Sequence, residues 1–361
     1  MSRKIKVLVV DDSVSVRNTI IQILSHDSEI EVVGSASDPY EAVAKIAENL
    51  PDVITLDIEM PRMDGLTFLS KLMKQHPIPV VVISSIAGEG SEKGIRALKL
   101  GAKEIITKPK LSSQEQLEEY SIRIIDAIKA SAMIERIRIK PVNANETGNF
   151  PFSQTGKLTN SVLNSKLKSE KIILIGASTG GTEVISRILK KLRNDLPGIL
   201  IVQHMPGEFT KAFASRLNLE SRLDVKEAEQ GDLIQRGCAF IANGFNHLHL
   251  IRENGQYKCK LENGPLVNRH RPSVDVLFHS ASEFSGKNIT AILLTGMGSD
   301  GSRGMLELYE IGAMTFAQDE QSAVIFGMPK EAIKLNAAKM IGNPDELINW
   351  LNTTFQPNDR E

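Results

Sequence analysis

Short apolar segments alternate with amphipathic stretches along the first 125 or so residues, and this alternation constrains the fold more than any other feature of the sequence. The apolar segments are Ile5–Val10, Ile30–Val33, Asp52–Asp57, Pro79–Ser84 and Lys103–Thr107. Helix-like segments such as Val14–Leu24 and Leu66–Lys74 lie between them. Continuously apolar strands are typical of a parallel sheet covered by helices. We therefore predict a flavodoxin-like α/β domain with a five-stranded parallel sheet over residues 1–125.

A polar stretch separates this domain from a second region with the same pattern. Of the 31 residues 138–168, 14 are Asn, Ser, Thr, Gln or Gly and 9 are apolar. This composition predicts a helix end and flexible linker over 126–168. Apolar segments then resume at Lys171–Ile175, Ile199–Val202, Ala239–Ala242, Thr290–Leu294 and Ala313–Ala317. We predict a second, doubly wound α/β domain over 169–355 and a tail over 356–361.

Composition argues against several functional classes. Lysine and arginine (43) balance aspartate and glutamate (44) in the 361-residue chain, so no global basic surface is available to hold nucleic acid. Cys238 and Cys259 are too few for a disulfide framework and fit a reducing compartment. The apolar runs are far shorter than the ~20 residues needed to span a bilayer, and Asp11 and Asp12 interrupt the first one too early for a signal peptide. We expect a cytoplasmic protein that does not insert into membranes.

Polar side chains follow four of the five predicted strands of the first domain. They are Asp11 and Asp12 after the first strand, Asp57 at the end of the third, Ser84 at the end of the fourth and Lys108 after the fifth. The carboxyl ends of parallel strands share one edge of a sheet, so we expect these groups to converge there. Converging carboxylates repel one another unless a hard cation such as Mg²⁺ is shared between them. A carboxylate beside Mg²⁺ can act as a nucleophile toward a phosphorylated donor.

Each of these residues has a simpler interpretation when it is taken alone. Asp12 or Ser13 can cap the helix that begins near Val14, and Lys108 can be a surface lysine. The placement of all the groups at strand ends, in order, favours the joint interpretation. Asp64-Gly65 is interpreted as turn and cap chemistry.

This constellation resembles the receiver domain of two-component response regulators. The segments that carry the resemblance are Val7–Asp12, Asp57–Gly65, Ser84 and Lys108-Pro109. The resemblance implies that Asp57 is phosphorylated, with a histidine kinase as the donor.

The resemblance also implies a metal site and a switch. Mg²⁺ would be held by Asp12, Asp57 and the backbone carbonyl of Glu59, with Asp11 nearby. Ser84 would be the hydroxyl switch, and Lys108 would contact the phosphoryl group. The sequence departs from the family at Ile105, where an aromatic switch residue is usual. The tyrosine flip of the family therefore has no tyrosine at this position.

The second domain carries the pattern G-x-S-x-G at Gly176–Gly180, between a predicted strand and a helix start. Small residues in such a turn let Ser178 project as a nucleophile. The same turn can also cradle a phosphate or serve packing alone.

A nucleophilic serine needs a base and an orienting acid, which we place by strand ends. His204 follows the segment Ile199–Val202, and Asp300 lies in a Gly-rich loop after Thr290–Leu294. The histidines ranked below His204 are His26, His76, His247, His249, His270 and His279, and the competing acids are Asp275 and Asp319. Of these, His247 and His249 alternate along Asn246–Ile251, which predicts that they lie on one face of a strand. The order Ser–His–Asp differs from the Ser–acid–His order of α/β hydrolases, so this would be a convergent triad. The alternative, in which Asp300 only shapes a turn and His204 only ends a strand, stays open.

The second domain resembles the catalytic domain of the chemotaxis protein-glutamate methylesterases. The motifs are Gly176–Thr182, Gln203–Pro206, His270–Phe278 and Leu294–Gly301. One departure is Ala242-Asn-Gly-Phe, where the family more often has Ala-Pro-Gly. The resemblance implies hydrolysis of glutamyl methyl esters and deamidation of glutamines on chemoreceptors. It also implies that the backbone N–H at Met297 helps to bind the oxyanion and that the ester step needs no metal.

Two other functions have to be weighed. A receiver joined to a DNA-binding domain would be a transcription factor, but residues 169–361 carry 21 basic and 23 acidic residues and no helix-turn-helix pattern. A catalytically inactive scaffold that only binds receptors or kinase is the second alternative.

Overall fold

The computed structural model describes residues 3–60, 63–84, 89–108, 114–138 and 169–355. The side chains of residues 84, 89–92, 114–116, 119 and 133–138 are outside this description. The predicted linker beyond residue 138 and the tail over 356–361 also lie outside the described residues. In the described part, no helix is both long enough and apolar enough to cross a membrane.

The first domain is a five-stranded parallel sheet with helices on both faces, as predicted. Its strands are β1 (Ile5–Val10), β2 (Ile30–Ala36), β3 (Val53–Asp57), β4 (Val80–Ser84) and β5 (Glu104–Thr107), in the order β2-β1-β3-β4-β5. Its helices are α1 (Val14–Ser25), α2 (Pro39–Glu48), α3 (Gly65–Gln75), α4 (Glu89–Lys99) and α5 (Gln114–Arg138). Strand β2 is three residues longer than predicted because Gly34 and Ser35 still pair with β1.

Two turns at the carboxyl edge of this sheet have the cap chemistry that the sequence indicates. Ser13 caps α1 by accepting a hydrogen bond from the N–H of Val16, so the Asp12 side chain is not the cap. Asp64 caps α3 by accepting from the N–H of Leu66. A Cβ atom on Gly65 would lie 2.4 Å from the Asp57 carbonyl oxygen, so only glycine lets the turn approach the end of β3 this closely.

The second domain is a seven-stranded parallel sheet, also with helices on both faces. Its strands are β6 (Ile172–Ala177), β7 (Gly198–Gln203), β8 (Asp224–Glu227), β9 (Cys238–Ile241), β12 (Ile289–Leu293), β13 (Met314–Gln318) and β14 (Met340–Gly342), in the order β14-β13-β12-β6-β7-β9-β8. Its helices are α6 (Gly181–Lys191), α7 (Gly207–Glu220), α8 (Val274–Ser282), α9 (Ser302–Glu310), α10 (Met328–Lys334) and α11 (Pro344–Thr354). The chain leaves β6 for β7 on one side and later returns to β12 on the other, so the strand order switches at β6. Crevices at such switch points hold ligands in open α/β sheets.

Two features of this domain were not predicted. Strand β8 has three charged residues among its four, and β14 has only three residues, so neither strand gives an apolar run of its own. Strands β10 (His247–Glu253) and β11 (Gln256–Glu262) form a separate antiparallel hairpin. The strand predicted around His247 and His249 is confirmed by β10. Its partner β11 was missed because four of its seven residues are polar and no continuous apolar run marks it.

The two domains pack against each other through α4 and α7. Ile95 and Ile105 of the first domain belong to the same buried apolar cluster as Phe209 and Phe213 of the second. At the edge of this contact Lys99 lies 3.5 Å from Glu220. The arrangement places the β5–α5 side of the first domain over the carboxyl edge of the second sheet.

Candidate active site

The carboxyl edge of the first sheet brings three carboxylates together, as the sequence indicates. One oxygen from each of Asp11, Asp12 and Asp57 lies within 4.8 Å of the others. Asp11 and Asp57 are buried, whereas Asp12 is exposed. The Lys108 Nζ atom lies 2.6 Å from Asp57 Oδ2 and 3.3 Å from Asp11 Oδ2.

Burial and the lysine act against each other on these groups. Burial raises the pKa of Asp57 to about 6, and the Lys108 ammonium opposes that increase. Burial also raises the pKa of Asp11. Burial lowers the pKa of Lys108, but the two carboxylates outweigh it and leave the pKa raised. The cluster therefore requires positive charge, from the lysine or from a cation, to remain ionised at neutral pH.

The donor set fits the Mg²⁺ that the sequence implies. Hard carboxylate oxygens at this spacing are the ligands that Mg²⁺ prefers, and Oδ2 of Asp11 is buried with the Lys108 ammonium 3.3 Å away. Glu59 lies beside the cluster, because its N–H donates to Asp57 Oδ1 at 2.9 Å. Ser84 ends β4, but its side chain is outside the described residues.

In the second domain, Ser178 occupies the turn between β6 and α6. Its N–H donates to the Thr295 carbonyl at 3.0 Å, and its carbonyl accepts from the N–H of Gly181 at 2.7 Å. Gly180 has a φ of +79°, which is the left-handed conformation that glycine adopts without strain. The serine is 9% exposed. This sharp turn at the switch point directs Ser178 toward the crevice above β6.

His204 and Asp300 flank this turn on the two neighbouring strands. His204 follows β7, and Asp300 lies in the loop between β12 and α9. Nε2 of His204 lies 2.8 Å from Asp300 Oδ2, so the neutral imidazole donates its Nε2–H to the carboxylate. Nδ1 then carries the lone pair, and it is buried without a hydrogen-bond partner. Ser178, His204 and Asp300 thus follow three adjacent strands; His204 and Asp300 are hydrogen-bonded, and Ser178 and His204 line the same cavity without a hydrogen bond between them.

Asp300 is held as an anion by an array of donors. Oδ1 accepts from the side chains of Asn268 and Ser273, each at 2.7 Å, and Oδ2 accepts from the N–H of Val274 at 2.7 Å. Burial raises the pKa of Asp300, but the hydrogen bonds and the charge of His204 outweigh it and hold the pKa well below its usual range. A fixed carboxylate of this kind sets the tautomer of the histidine and stabilises its protonated form.

The competing residues of the sequence analysis have other partners. Asp275 accepts from the N–H of Gly304 at 2.8 Å, and Asp319 accepts from the N–H of Ser322 at 2.8 Å. His247 bonds the carbonyl of Pro265, and His279 pairs with Glu307 on the surface.

The loop that carries Met297 borders the serine. A Cβ atom on Gly296 would lie 2.7 Å from Ser178 Cβ, so only glycine allows this approach. The Gly296 carbonyl accepts from the N–H groups of Gly327 and Met328, which anchors the loop. Met297 is half-buried next to this contact. Met297 therefore directly follows a residue whose backbone packs against Ser178.

The first domain covers this site. Ser178, His204 and Arg271 line a cavity of about 60 Å³ whose other wall includes Glu104 and Arg123 of the first domain. A volume of this size holds a few water molecules. Arg123 reaches across to the carbonyl of Arg271 at 3.4 Å. The chain as described is a closed form.

Sequence reasoning missed several residues of this site. Asn268 and Ser273 bind Asp300, Gln203 Nε2 donates to the carbonyl of Ser178 at 2.9 Å, and His270 stacks on His204. Three of them lie within the quoted motifs, but motif membership by itself does not indicate which side chain reaches the triad.

Comparison with known proteins identifies a family for each domain. Residues 7–120 match the response regulator receiver domain, and residues 173–351 match the CheB methylesterase family. A protein-glutamate methylesterase/protein-glutamine glutaminase of Oleidesulfovibrio alaskensis is 51% identical over 94% of this chain and 96% of its own. A relative of the same description from Rhodopseudomonas palustris is 48% identical over 96% of both chains.

A solved structure agrees with the fold of the second domain. The CheB methylesterase catalytic domain of Thermotoga maritima is 37% identical, with a TM-score of 0.50, and covers 51% of this chain and 98% of its own.

Proposed function

This chain belongs to the family of protein-glutamate methylesterases/protein-glutamine glutaminases that carry a receiver domain, and from this membership we propose its substrates and mechanism. It hydrolyses glutamyl methyl esters on methyl-accepting chemoreceptors, releasing methanol, and deamidates receptor glutamines. The observation that carries the catalytic assignment is the placement of Ser178, His204 and Asp300 on adjacent strands with a 2.8 Å His–Asp contact. The transcription-factor and scaffold alternatives do not hold, because the output region matches an enzyme family over residues 173–351.

In the acylation step, Oγ of Ser178 attacks the carbonyl carbon of the glutamyl γ-methyl ester. Nδ1 of His204 takes the Oγ proton as the new C–O bond forms, because Nε2 is committed to Asp300. The resulting imidazolium then protonates the departing methoxide, which leaves as methanol. Asp300 keeps the ring in this tautomer and stabilises its positive charge.

In the second step, water replaces the leaving group. His204 accepts a proton from the water as the water oxygen attacks the acyl carbon. The imidazolium then returns this proton to Oγ of Ser178 as the acyl C–O bond breaks, which releases glutamate and regenerates the serine and the neutral histidine. The oxyanion of each tetrahedral intermediate would accept a hydrogen bond from the backbone N–H at Met297. Deamidation follows the same path. His204 gives its proton to the amide nitrogen of the glutamine, which leaves as ammonia.

The receiver regulates this chemistry through Asp57. We assign phosphorylation to Asp57, with a chemotaxis histidine kinase as donor. Asp12, Asp57 and the Glu59 carbonyl would hold Mg²⁺, with Asp11 nearby, and the ion supplies charge neutralisation for phosphoryl transfer. Lys108 and Ser84 would contact the phosphoryl oxygens.

Phosphorylation then has to act on the closed form. In that form Glu104 and Arg123 of the receiver share a small cavity with Ser178. A phosphoryl group at Asp57 adds negative charge on the receiver, and it favours opening to the extent that it interacts differently with the closed and open forms. We propose domain limits of 1–125 and 169–355, with the helix end and linker over 126–168 between them and a tail over 356–361.

Methanol release from methylated receptor membranes, with and without a phosphodonor, tests this function. We expect release that depends on Ser178 and rises with the phosphodonor. A fluorophosphonate probe that labels the wild type and spares Ser178→Ala would identify the nucleophile. Normal methanol release by Ser178→Ala would refute the assignment.

A further inference from the structure

A tight turn between β11 and α8 presents one histidine to the catalytic residues. Val267 and His270 exchange backbone hydrogen bonds of 2.9 and 3.1 Å. The two residues between them, Asn268 and Arg269, have φ values of +51° and +68°. Asparagine adopts this conformation readily, but arginine does so rarely and at a cost. A turn that keeps this strain fixes the direction in which His270 leaves the backbone.

The His270 ring stacks on the His204 ring. The two centroids are 3.7 Å apart, and the ring planes differ by 17°. His270 therefore covers one face of His204, while Asp300 binds its edge at Nε2. The same turn supplies Asn268 to Asp300, so one short segment contacts both members of the His–Asp pair.

The charges around His270 keep it neutral. Burial lowers its pKa well below the usual range, and the neighbouring His204, Arg123 and Arg269 act in the same direction, with Asp300 opposing them. Two protonated imidazoles could not remain stacked at this distance. The proton of the catalytic cycle therefore resides on His204, which has Asp300 as its partner.

A single hydrogen bond does not fix the plane of an imidazole, because the χ2 torsion of histidine is broad. His204 could keep its contact with Asp300 and still turn Nδ1 away from the nucleophile. A flat ring packed on its face removes that freedom. The π face of a neutral ring also attracts the positive charge that forms on His204 during acylation.

We propose that His270 is a positioning residue for the base, which holds the plane of the His204 imidazole through its flat ring and without any proton transfer of its own. This inference rests on the proposed function of His204. It predicts that shape and planarity at position 270 matter and that the ring nitrogens do not.

The test compares His270→Ala with His270→Phe in the full-length chain, activated by a small-molecule phosphodonor. We expect His270→Ala to lower kcat for methanol release by about 10- to 100-fold with little change in KM, since loss of alignment costs about this much. His270→Phe should recover most of that loss. His279→Ala is the matched control, since His279 lies on the surface.

A second measurement does not depend on the receptor substrate. The rate at which a fluorophosphonate labels Ser178 should fall in His270→Ala by the same factor as kcat and recover in His270→Phe. In NMR spectra of histidine-labelled protein, the His204 ring protons should lose their upfield ring-current shift in His270→Ala and keep it in His270→Phe. These spectra also show whether each variant is folded.

Failure of the proposed role of His270 can be distinguished from failure of the proposed catalytic function. A folded His270→Phe as inactive as His270→Ala would mean that a nitrogen of His270 is required, and would overturn the proposal. Wild-type kcat and labelling in His270→Ala would overturn it too. Normal activity in Ser178→Ala would instead refute the catalytic assignment itself.

Discussion

Gly94 of the receiver lies directly against the ring of Phe209 in the catalytic domain. A Cβ atom at position 94 would be 2.5 Å from Phe209 Cε1 and 3.3 Å from Ile105 Cδ1. Phe209 is fully buried, so its ring is enclosed by other residues and does not border solvent. The closed arrangement of the two domains thus depends on the absence of a side chain at this position of α4.

We predict that Gly94→Val opens the protein without phosphorylation. Overpacking costs about 1–3 kcal/mol. The closest clash, with Phe209, exists only in the closed form, so we expect a shift toward the open form of up to roughly 5- to 150-fold. Methanol release without a phosphodonor should rise toward the rate of the isolated catalytic domain. Gly34→Ala is the control, because a Cβ there meets only ordinary contacts at 3.4 Å and beyond. An unchanged basal rate in Gly94→Val would show that this contact does not restrain the enzyme.

The substitution Asp300→Asn tests the triad without changing the size or shape of the side chain at position 300. Asn at position 300 can donate to Nε2 of His204 and so favour the tautomer in which Nδ1 carries the proton and cannot act as base. We expect kcat to fall by about 10³- to 10⁴-fold, as for other triads with this change, while the protein stays folded. Asp275→Asn is the matched control, since Asp275 shares Asn268 with Asp300 but binds the N–H of Gly304. Comparable losses in both variants would point to a structural effect on the loop.

Much of this site was predictable from strand ends. Because parallel strands all end at one edge, His204, Ser178 and Asp300 could be placed together from the apolar runs that precede them. The partners of these residues could not be found in this way. His270 and Asn268 come from a turn whose position depends on the hairpin of β10 and β11, and the sequence does not indicate where that hairpin packs. The contact between Gly94 and Phe209 joins two domains, so no local pattern could predict it.

The receiver assignment predicts one acid-labile phosphoryl group per chain. Its formation should require Mg²⁺, be abolished by chelation and be lost in Asp57→Asn. Lys108→Ala should still accept the phosphoryl group but lose most of the activation, because Lys108 is the cation that contacts Asp57 at 2.6 Å. Mass spectrometry locates the group, and methanol release reports the activation. A phosphoryl group found on another residue would contradict the assignment.

The buried carboxyl of Glu104 should make the stability of the closed form depend on pH. Its Oε2 atom is buried at the domain contact without a hydrogen-bond partner. Burial raises its pKa to about 7, with Thr179 and Arg123 opposing. In an open form the exposed carboxyl ionises near its ordinary pKa of 4.5. Closing therefore takes up a proton between these values, so the closed form is favoured at the acidic end of the interval and loses that advantage as pH rises to about 7.

The measurement is the ratio of unphosphorylated full-length activity to that of the isolated catalytic domain, which cancels the pH dependence of the catalytic step itself. We expect this ratio to rise roughly three- to tenfold between pH 5.5 and 7.5, within the tenfold that each pKa unit allows. Glu104→Gln should keep the ratio low and flat. Asp126→Asn serves as a comparison, because burial also raises the pKa of Asp126 in the same cavity wall. A ratio that rises equally in Glu104→Gln would exclude Glu104 as the group responsible.

Removal of the whole receiver should activate the catalytic domain. A fragment of residues 169–361 should be more active than the unphosphorylated full-length chain, because the cavity over Ser178 loses the wall that contains Glu104 and Arg123. The fragment is a reasonable unit, since the related Thermotoga maritima domain was solved by itself. A phosphodonor should stimulate the full-length chain and leave the fragment unchanged. Rates of methanol release are compared at equal concentrations of active site, calibrated by fluorophosphonate labelling. A fragment no faster than the unphosphorylated parent would rule out inhibition by the receiver and leave direct activation or receptor tethering as its role.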